Sequence, residues 1–385
     1  MQRSGNWRKE KALVRLLICA GGTGGGVYPA LAVLQAMKRD KETRELELLW
    51  VGGEKGVEVN LISRTDIPLR TIPAAGVHGV ELSALPGNLM RLFKGFMAAR
   101  QIIQDFQPDV LFFTGGYVAV PMAFAGRLVA RKRPAVLLYV PDIEPGLALQ
   151  TLSRFADQIA VTAMPSQSYF SSRAPLVVTG YPTRDDLQRW DHQTAIQHFR
   201  LDDQLPVLFV FGGSTGARSI NRALLAALPE LLEHTQIIHV SGHTDWKDVQ
   251  ASYDLLAQSL RERYRVYPYL HEEMGAAFAA ADLVLARAGA STLGEFPSFG
   301  LPAILVPYPY AWRYQKVNAD YLVSRGAAVM IEDSVLPQRI IPEVLRLMND
   351  SELRASMSKA MSDLDKPDAA QHIGELLWEL SAARN

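Results

Sequence analysis

The amino-acid sequence predicts an α/β protein with two doubly wound parallel-sheet domains that face one another across a cleft. The first reason is that two apolar runs, residues 13–19 and 207–211, each lead into glycines and then into a helical pattern. Glycine lets the backbone approach a ligand closely, and the helix that follows offers free N–H groups and a positive dipole end. The second reason is that apolar runs alternate with helical patterns throughout, as in parallel sheets covered on both faces.

The predicted strands are short, nearly continuous apolar runs. They lie at residues 13–19, 46–51, 110–113, 135–140, 158–162 and 176–179 in the first half and at 207–211, 236–240, 265–267, 282–286 and 302–307 in the second. The helix entered at Pro29 has this proline in its first turn and apolar residues on one face, at Leu31, Leu34 and Met37. The helix after the second glycine loop repeats this period at Ile220, Leu224, Leu228 and Leu231.

A polar stretch divides the chain of 385 residues, which is long enough for two domains of ordinary size. Residues 186–204 carry no strand pattern and precede the second glycine loop, so we expect a linker there. The division predicts an N-terminal tail over residues 1–12, a first domain over 13–185 and a second domain over 205–385. From about Leu336 the chain is predicted to be helical and to close the second domain.

The composition is that of a globular protein. Lys+Arg and Asp+Glu both number 40, so the formal net charge is zero and a nucleic-acid partner bound through its phosphates is not expected. Cys19 is the only cysteine and lies in an apolar run, which excludes a disulfide within the chain and predicts a buried thiol. Residues 110–126 lack charges, but glycines and a proline interrupt them, so they do not predict a membrane span. We expect a soluble, cytoplasmic chain.

Specific residues recur in four segments beyond these general patterns. The segments are Gly21-Gly22-Thr23-Gly24-Gly25 with Pro29-Ala30-Leu31-Ala32, Pro108-Asp109-Val110 with Thr114-Gly115-Gly116-Tyr117, Gly212-Gly213-Ser214-Thr215-Gly216-Ala217-Arg218, and Arg287-Ala288-Gly289-Ala290-Ser291-Thr292-Leu293-Gly294-Glu295 with Gly300-Leu301-Pro302, Gln315 and Asn318. Together they resemble the MurG family of bacterial glycosyltransferases, which add N-acetylglucosamine to a lipid-linked muramoyl-pentapeptide. The resemblance extends over nearly the whole chain from about Leu13.

The resemblance implies a GT-B fold, in which two Rossmann-like domains face one another. The N-terminal domain would face an anionic membrane surface and receive a polyprenyl-linked acceptor, undecaprenyl-diphospho-muramoyl-pentapeptide, and the C-terminal domain would bind UDP-N-acetylglucosamine. An inverting hexosyltransferase is implied that needs neither metal nor cofactor and lies peripherally on the inner face of the cell membrane. The sequence itself contains no His/Cys/Asp cluster with metal-ligand spacing.

The donor side of the family motif is well matched. Glu295 follows a Gly-Ala-Ser turn at the start of a helix, where a carboxylate can also simply complement the helix dipole. By resemblance, Glu295 would accept hydrogen bonds from both ribose hydroxyls and Gln315 would reach the sugar hydroxyls. By resemblance, the donor diphosphate would lie against the loop of Ser214, Thr215 and Gly216. Arg184 and Arg218 are the candidate cations beside it.

The acceptor side departs from the family at two places. Thr23, Gly24, Gly25 and Tyr117 match the acceptor loops, but Gly26 stands where the family has a histidine that is a candidate for activating the acceptor hydroxyl. Glycine cannot accept a proton. The family's His-Glu-Gln-Asn stretch is replaced here by residues 139–142.

Three residues are alternative candidates for the missing base. Asp142 and Glu144 follow a predicted strand, at the edge where open α/β sheets bind ligands, and an apolar cleft raises the pKa of a carboxylate. His78 lies in a loop flanked by glycines, where an ordinary loop histidine is the alternative reading. Asp142 and His78 are the favoured pair, with Asp142 first.

Residues 89–97 mix large apolar side chains with Arg91 and Lys94. They predict either an ordinary amphipathic helix on the core or a patch that meets anionic lipid headgroups. The departures on the acceptor side also allow a related protein with another acceptor or with no transferase activity. A nucleotide-sugar epimerase or a dinucleotide oxidoreductase is less favoured, because neither glycine loop has the Gly-x-Gly-x-x-Gly pattern with its ribose-binding acid.

Overall fold

The structure is a computed structural model that describes residues 12–21, 24–39, 44–54, 56–73, 85–171, 174–213 and 216–383. The strands form two parallel sheets. Those of the first sheet are β1 (Ala12–Cys19), β2 (Arg44–Gly53), β3 (Leu69–Ile72), β4 (Val110–Phe113), β5 (Ala135–Val140), β6 (Gln158–Val161) and β7 (Leu176–Val178). Those of the second are β8 (Val207–Phe211), β9 (Gln236–Val240), β10 (Tyr264–Tyr267), β11 (Leu283–Ala286), β12 (Ala303–Leu305) and β13 (Ala328–Met330).

Helices connect the strands and cover both faces of the sheets. They are α1 (Gly24–Arg39), α2 (Val57–Ile62), α3 (Leu85–Phe106), α4 (Ala119–Leu128), α5 (Leu147–Leu152), α6 (His192–Phe199), α7 (Arg218–His234), α8 (Trp246–Leu255), α9 (Gln258–Arg261), α10 (Met274–Ala280), α11 (Glu295–Phe299), α12 (Trp312–Val323), α13 (Leu336–Asn349), α14 (Ser351–Ser362) and α15 (Ala369–Ala382). Short 3-10 helices lie at Met164–Tyr169, Leu187–Arg189, Ala290–Leu293, Pro309–Ala311 and Asp333–Val335. Within the described residues, no helix is long and apolar enough to cross a bilayer.

Each sheet reverses its strand order once, and this reversal positions the site. The first sheet runs β3-β2-β1-β4-β5-β6-β7 and the second runs β10-β9-β8-β11-β12-β13. The reversals therefore fall between β1 and β4 and between β8 and β11. Ligands of open α/β sheets bind outside the carboxyl ends of the strands at such a point. The two doubly wound parallel-sheet domains predicted from the sequence are confirmed.

Successive residues of the central strands are buried on opposite faces of each sheet. In β1, Leu17 and Cys19 face one apolar core, whereas Leu16 and Ile18 face the other. This alternation explains why the strands read as continuous apolar runs, because both faces are covered. Cys19 has no exposed surface, which confirms the predicted buried thiol, and burial raises its pKa.

Two segments pack in ways that the sequence did not indicate. Residues 186–204 include α6, whose Ala195, Ile196 and Phe199 are buried in a core that also contains residues of β8 and β11. Helix α15 returns to the first domain, where Ile373 lies in the core that also contains residues of α1. The apolar face of α15 was visible in the sequence, but nothing in the sequence indicates which sheet it covers.

Candidate active site

The carboxyl ends of both sheets border one cavity of about 1510 Å³. The glycine loops after β1 and β8 lie on opposite walls of this cavity, and so do the segments after β5 and β11. A site for one small ligand typically measures about 300–1,000 Å³. The cavity is therefore large enough to hold two substrates at once.

Two glycine turns packed against each other build the wall of the first domain. Gly24, Gly25 and Gly26 begin α1, and Gly116 follows β4. Gly116 has a φ of +86°, and a Cβ there would lie 3.2 Å from the carbonyl oxygen of Gly21, so only glycine fits without strain. The Thr114 hydroxyl donates to the Gly26 carbonyl oxygen at 2.6 Å. These contacts hold the N-terminus of α1 at the cavity.

Asp142 lies on this wall, two residues beyond the end of β5. Its Oδ1 accepts a hydrogen bond of 2.8 Å from the side-chain amide of Asn318, a residue of α12 in the second domain. Burial raises the pKa of Asp142, and the Asn318 hydrogen bond opposes that rise. A carboxylate with a raised pKa is a better proton acceptor.

The other two candidates for the base are placed elsewhere. Glu144 is only 4% exposed and is not among the residues that line the cavity. His78 and Thr23 lie outside the described residues. Tyr117 is 52% exposed and also does not line the cavity, whereas its neighbours Gly115 and Gly116 do.

The wall of the second domain is built around the loop between β8 and α7. Gly216 has a φ of +79°, and a Cβ there would lie 2.4 Å from the carbonyl oxygen of Ser241, so this position requires glycine. Arg218 is the first residue of α7, and its Nε lies 3.0 Å from Oδ1 of Asp245. Gly216 and Arg218 line the cavity. Ser214 and Thr215 lie outside the described residues.

Glu295 is the buried acid of the second wall. It begins α11 and is 9% exposed. Burial raises its pKa from 4.5 to about 7, while the Arg184 guanidinium and a hydrogen bond from Ser291 act in the opposite direction. Arg184 also forms an ion pair of 3.3 Å with Asp186, and its guanidinium lies over the ring of Tyr28. Among the described residues, the buried Nε of Arg184 has no hydrogen-bond partner.

An aromatic loop after β12 forms the edge of the cavity beside Gln315. The backbone N–H of Tyr308 donates to Oε1 of Gln315 at 2.8 Å, which fixes the side-chain amide at this edge. The Arg287 guanidinium lies over the Tyr308 ring and donates to the Ser219 hydroxyl at 2.7 Å. Arg287 therefore ties the aromatic loop to the start of α7.

Two kinds of residue at the site were missed by the sequence-based prediction. Asn318 belongs to a matched segment, but no role was assigned to it; the structure buries its side-chain amide, and a buried amide needs hydrogen-bond partners. Tyr28 and Tyr269 lie on opposite walls, and no local pattern relates residues so far apart in the chain.

Comparison with known proteins covers both halves of the chain. Residues 16–161 match the model of the glycosyltransferase family 28 N-terminal domain, and residues 207–373 match that of the glycosyltransferase family 28 C-terminal domain.

Curated relatives and a solved structure match over nearly their full lengths. A protein of Roseiflexus sp. (strain RS-1) is 38% identical, with 96% of each chain covered, and one of Desulforudis audaxviator is 37% identical, with 96% of this chain and 99% of the relative covered. Both are named UDP-N-acetylglucosamine–N-acetylmuramyl-(pentapeptide) pyrophosphoryl-undecaprenol N-acetylglucosamine transferase. The crystal structure of MurG from Acinetobacter baumannii superposes with a TM-score of 0.73 at 26% identity, covering 96% of this chain and 99% of the other.

Proposed function

The chain belongs to glycosyltransferase family 28, and we propose that it transfers N-acetylglucosamine from UDP-N-acetylglucosamine to N-acetylmuramyl-(pentapeptide) pyrophosphoryl-undecaprenol. An oxygen of an acceptor hydroxyl forms a bond to the anomeric carbon of the sugar. The bond from that carbon to UDP breaks, and UDP leaves with the electron pair. The hydroxyl proton passes to a base of the enzyme, and a single displacement of this kind inverts the anomeric centre.

The observation that carries the proposal is that two carboxylates, a partly buried one from the first domain and a buried one from the second, line a single cavity. Asp142 comes from the first domain and Glu295 from the second. The transfer needs one group that binds the donor and another that accepts a proton from the acceptor. Burial raises the pKa of both carboxyl groups, which suits such roles.

Donor binding falls to the second domain in this proposal. Ionised Glu295 accepts hydrogen bonds from the ribose hydroxyls, and Gln315 contacts the hydroxyls of the sugar. The diphosphate lies against the loop that contains Ser214, Thr215 and Gly216, at the N-terminus of α7, where free N–H groups favour an anion. Arg184 lies beside Glu295 and supplies a positive charge; its buried Nε, which lacks a partner among the described residues, supports this role.

Acceptor activation falls to Asp142. It lies on the wall that also contains Gly24 and Gly25 at the N-terminus of α1. In this proposal Thr23, Gly24 and Gly25 contact the acceptor. The family histidine is absent at Gly26, and Asp142 is the carboxylate of the first domain that lines the cavity. Because burial raises its pKa, Asp142 holds a proton more strongly than an exposed carboxylate does.

The test is UDP release from UDP-N-acetylglucosamine in the presence of the lipid-linked acceptor. We expect release that saturates in both substrates and that Glu295→Gln and Asp142→Asn each reduce. A protein that binds UDP-N-acetylglucosamine in calorimetry but releases no UDP with this acceptor or other lipid acceptors would instead be a binding module. A protein that binds no UDP-sugar at all would remove the proposal.

We further propose that the protein binds the inner face of the cell membrane through α3. Met90, Phe93 and Met97 have exposed fractions of 56%, 61% and 44%, and their spacing of three and four residues places them on one helix face. Lys94 lies next to this stripe, and Arg91 is also exposed. An exposed apolar stripe with cations beside it fits an anionic lipid surface that presents a polyprenyl-linked substrate.

Helix α4 extends the same surface. It packs against α3, and its Phe124 and Leu128 are 41% and 67% exposed. The observed exposure favours the membrane reading of residues 89–97 over the reading as ordinary core packing, since a helix of the core would bury its apolar face. We name Met90, Phe93, Met97, Phe124 and Leu128 the α3–α4 patch.

A further inference from the structure

The side chain of Asn318 connects the two domains at the candidate site. Asn318 is a residue of α12 in the second domain and has no exposed surface. Its Oδ1 accepts a hydrogen bond of 3.0 Å from the backbone N–H of Ile143 in the first domain. Its Nδ2 donates to Oδ1 of Asp142 at 2.8 Å and to the carbonyl oxygen of Ala288 at 3.1 Å. Both amide hydrogens and the amide oxygen are therefore engaged.

Two backbone groups determine how this amide is oriented. The N–H of Ile143 can only donate, so it must meet the amide oxygen. The carbonyl oxygen of Ala288 can only accept, so it must meet the amide nitrogen. The remaining N–H then points at Asp142, and this bond follows from the other two. An amide held in this way can place a carboxylate precisely enough for proton transfer.

The same amide is tied to the donor-binding side. Ala288 lies two residues after the end of β11, and residues 289–294 connect it to Glu295. Gln315 lies one helical turn before Asn318 on α12 and lines the cavity. A movement of the second domain relative to the first would carry Asn318 away from Asp142, because two of its three bonds cross between domains.

We propose that Asn318 is a positioning residue that orients Asp142 for proton transfer when the cleft closes, so that the second domain completes the base of the first. The inference rests on the proposed role of Asp142 as the base. It goes beyond that role, because Asp142 would then be a functional base only in the closed protein. An open cleft would leave Asp142 without its amide partner. Activation of the acceptor is thereby coupled to the closure that brings the donor-binding wall into place.

The charged surroundings of Asp142 allow this coupling to be measured. Asp142 interacts with the hydroxyls of Tyr139 and Tyr181, and burial raises the pKa of both hydroxyls, so these two groups remain neutral in the range of an assay. The Asn318 hydrogen bond lowers the pKa of Asp142 against the effect of burial. Loss of that bond should therefore raise this pKa, and the acid limb of kcat should move to higher pH. Glu295 also titrates near this range, but it acts on donor binding and should appear in kcat/KM.

The experiment compares Asn318→Ala and the isosteric Asn318→Asp with wild type. We expect kcat to fall about 10- to 100-fold, as for a misplaced catalytic group, with the dissociation constant of UDP-N-acetylglucosamine within about threefold of wild type. The acid limb of kcat should move to higher pH in Asn318→Ala and further in Asn318→Asp, whose carboxylate faces that of Asp142. In an Asp142→Asn background, Asn318→Ala should cause little further loss of kcat.

Gln236→Ala is the matched control. Gln236 is also a buried amide with hydrogen bonds to backbone groups. It lies at the amino end of β9, whereas the cavity lies at the carboxyl ends of the strands. It should lower the melting temperature without moving the acid limb of kcat. A soluble Asn318→Ala protein that melts like the control and keeps the wild-type pH profile contradicts the inference. If Asn318→Ala does not fold, the isosteric Asn318→Asp carries the test, and a folded Asn318→Asp protein with the wild-type acid limb would also contradict the inference.

The failure of the proposed base has a different signature. If Asp142→Asn keeps full activity, the role of Asp142 is wrong and the inference falls with it. Alternatively, Asp142→Asn loses activity, and the fold losses of kcat in Asn318→Ala and Asp142→Asn multiply in the double variant. Asp142 would then remain the proposed base, and only the positioning role of Asn318 would be wrong.

Discussion

The hydroxyl groups of Tyr28 and Tyr269 lie 3.2 Å apart, although the residues come from opposite walls of the cavity and are 241 positions apart in the chain. Burial raises the pKa of Tyr28 well above its usual range, so its hydroxyl remains protonated and can donate or accept. A second contact between domains is the hydrogen bond of 2.8 Å from the Asn318 side-chain amide to Oδ1 of Asp142. These bonds describe a closed cleft and suggest what holds it closed.

Removing the hydroxyl of either Tyr28 or Tyr269 should shift the protein toward an open cleft. A net hydrogen bond contributes about 1 kcal/mol, which changes the ratio of closed to open protein roughly fivefold. We expect Tyr28→Phe and Tyr269→Phe to increase the radius of gyration in small-angle X-ray scattering. The double variant should resemble either single variant, because all three lack the same bond. Tyr253→Phe, in α8, is the control, and effects that add in the double variant would mean that the hydroxyls act separately.

The charge of Glu295 should control the affinity for the donor. Glu295→Gln should weaken binding of UDP-N-acetylglucosamine at pH 8 by roughly 1.5–3 kcal/mol, the scale of hydrogen bonds to a charged group. Because the pKa of Glu295 is about 7, wild-type affinity should rise roughly tenfold between pH 6 and pH 8 and then level off. Calorimetry measures both effects. An affinity of Glu295→Gln within twofold of wild type, or a wild-type affinity that is flat across this range, would remove Glu295 from the ribose site.

The same carboxylate should destabilise the folded protein at high pH. The pKa of Glu295 is about 7 in the folded protein, whereas its ordinary value of 4.5 applies to the unfolded chain. Between pH 4.5 and 7 the folded state therefore binds more protons than the unfolded state. The free energy of unfolding therefore falls as the pH rises from 4.5 to 7 and stays lower above it, by about 3 kcal/mol at most. Urea unfolding of the donor-free protein should find Glu295→Gln more stable than wild type at pH 8 and similar to it at pH 4.5. Glu230→Gln, at an exposed position of α7, should show no such difference.

The central strands were predictable because their environment is uniform. A strand buried on both faces must be apolar throughout, and β4, β5, β8 and β9 have the bounds that their apolar runs predict. The two strands that the sequence did not indicate, β3 and β13, each lie at one edge of their sheet. Arg70 and Thr71 of β3 are exposed, and β13 has only three residues, so neither forms an apolar run.

Residues of the candidate site were predictable where their position depends only on one short segment that follows a strand. Glu295, Gly216 and Asp142 each follow a strand, and the edge of a parallel sheet gathers such residues. Contacts between the domains were not predictable. The bond from Asn318 to Asp142 joins residues 176 positions apart, and only the packed domains bring them together.

Charge reversal beside the α3–α4 patch should abolish binding to anionic lipid. Each cation near such a surface contributes on the order of 1 kcal/mol, so Arg91→Glu with Lys94→Glu should release the protein from vesicles rich in anionic lipid in a sedimentation assay. Lys247→Glu with Lys359→Glu makes the same change in net charge on the second domain and should leave binding intact. Equal loss in both double variants would mean that net charge, and not this surface, governs binding.

The base itself is tested by Asp142→Asn, which keeps the shape of the side chain and should keep donor binding. Loss of a general base typically costs 10²–10⁴-fold in rate, and we expect kcat for UDP release to fall within that range. The wild-type kcat should fall toward low pH as Asp142 becomes protonated, and this acid limb should vanish in the variant. Full activity of Asp142→Asn would exclude it as the base and leave Glu144, His78 or water to be tested by Glu144→Gln and His78→Ala.

The substitution Gly26→His tests whether the histidine of the family can replace Asp142 as the base. A Cβ at this position would lie 3.4 Å from the carbonyl oxygen of Thr114 and 3.6 Å from that of Gly21, which is ordinary contact, and the backbone there needs no left-handed conformation. The loop should therefore accept the substitution. In an Asp142→Asn background, the imidazole should restore part of the lost kcat, with an acid limb near the ordinary histidine pKa of about 6.5. Gly26→Ala is the control for the added bulk, and rescue by alanine as well as by histidine would show that the imidazole does not accept the proton.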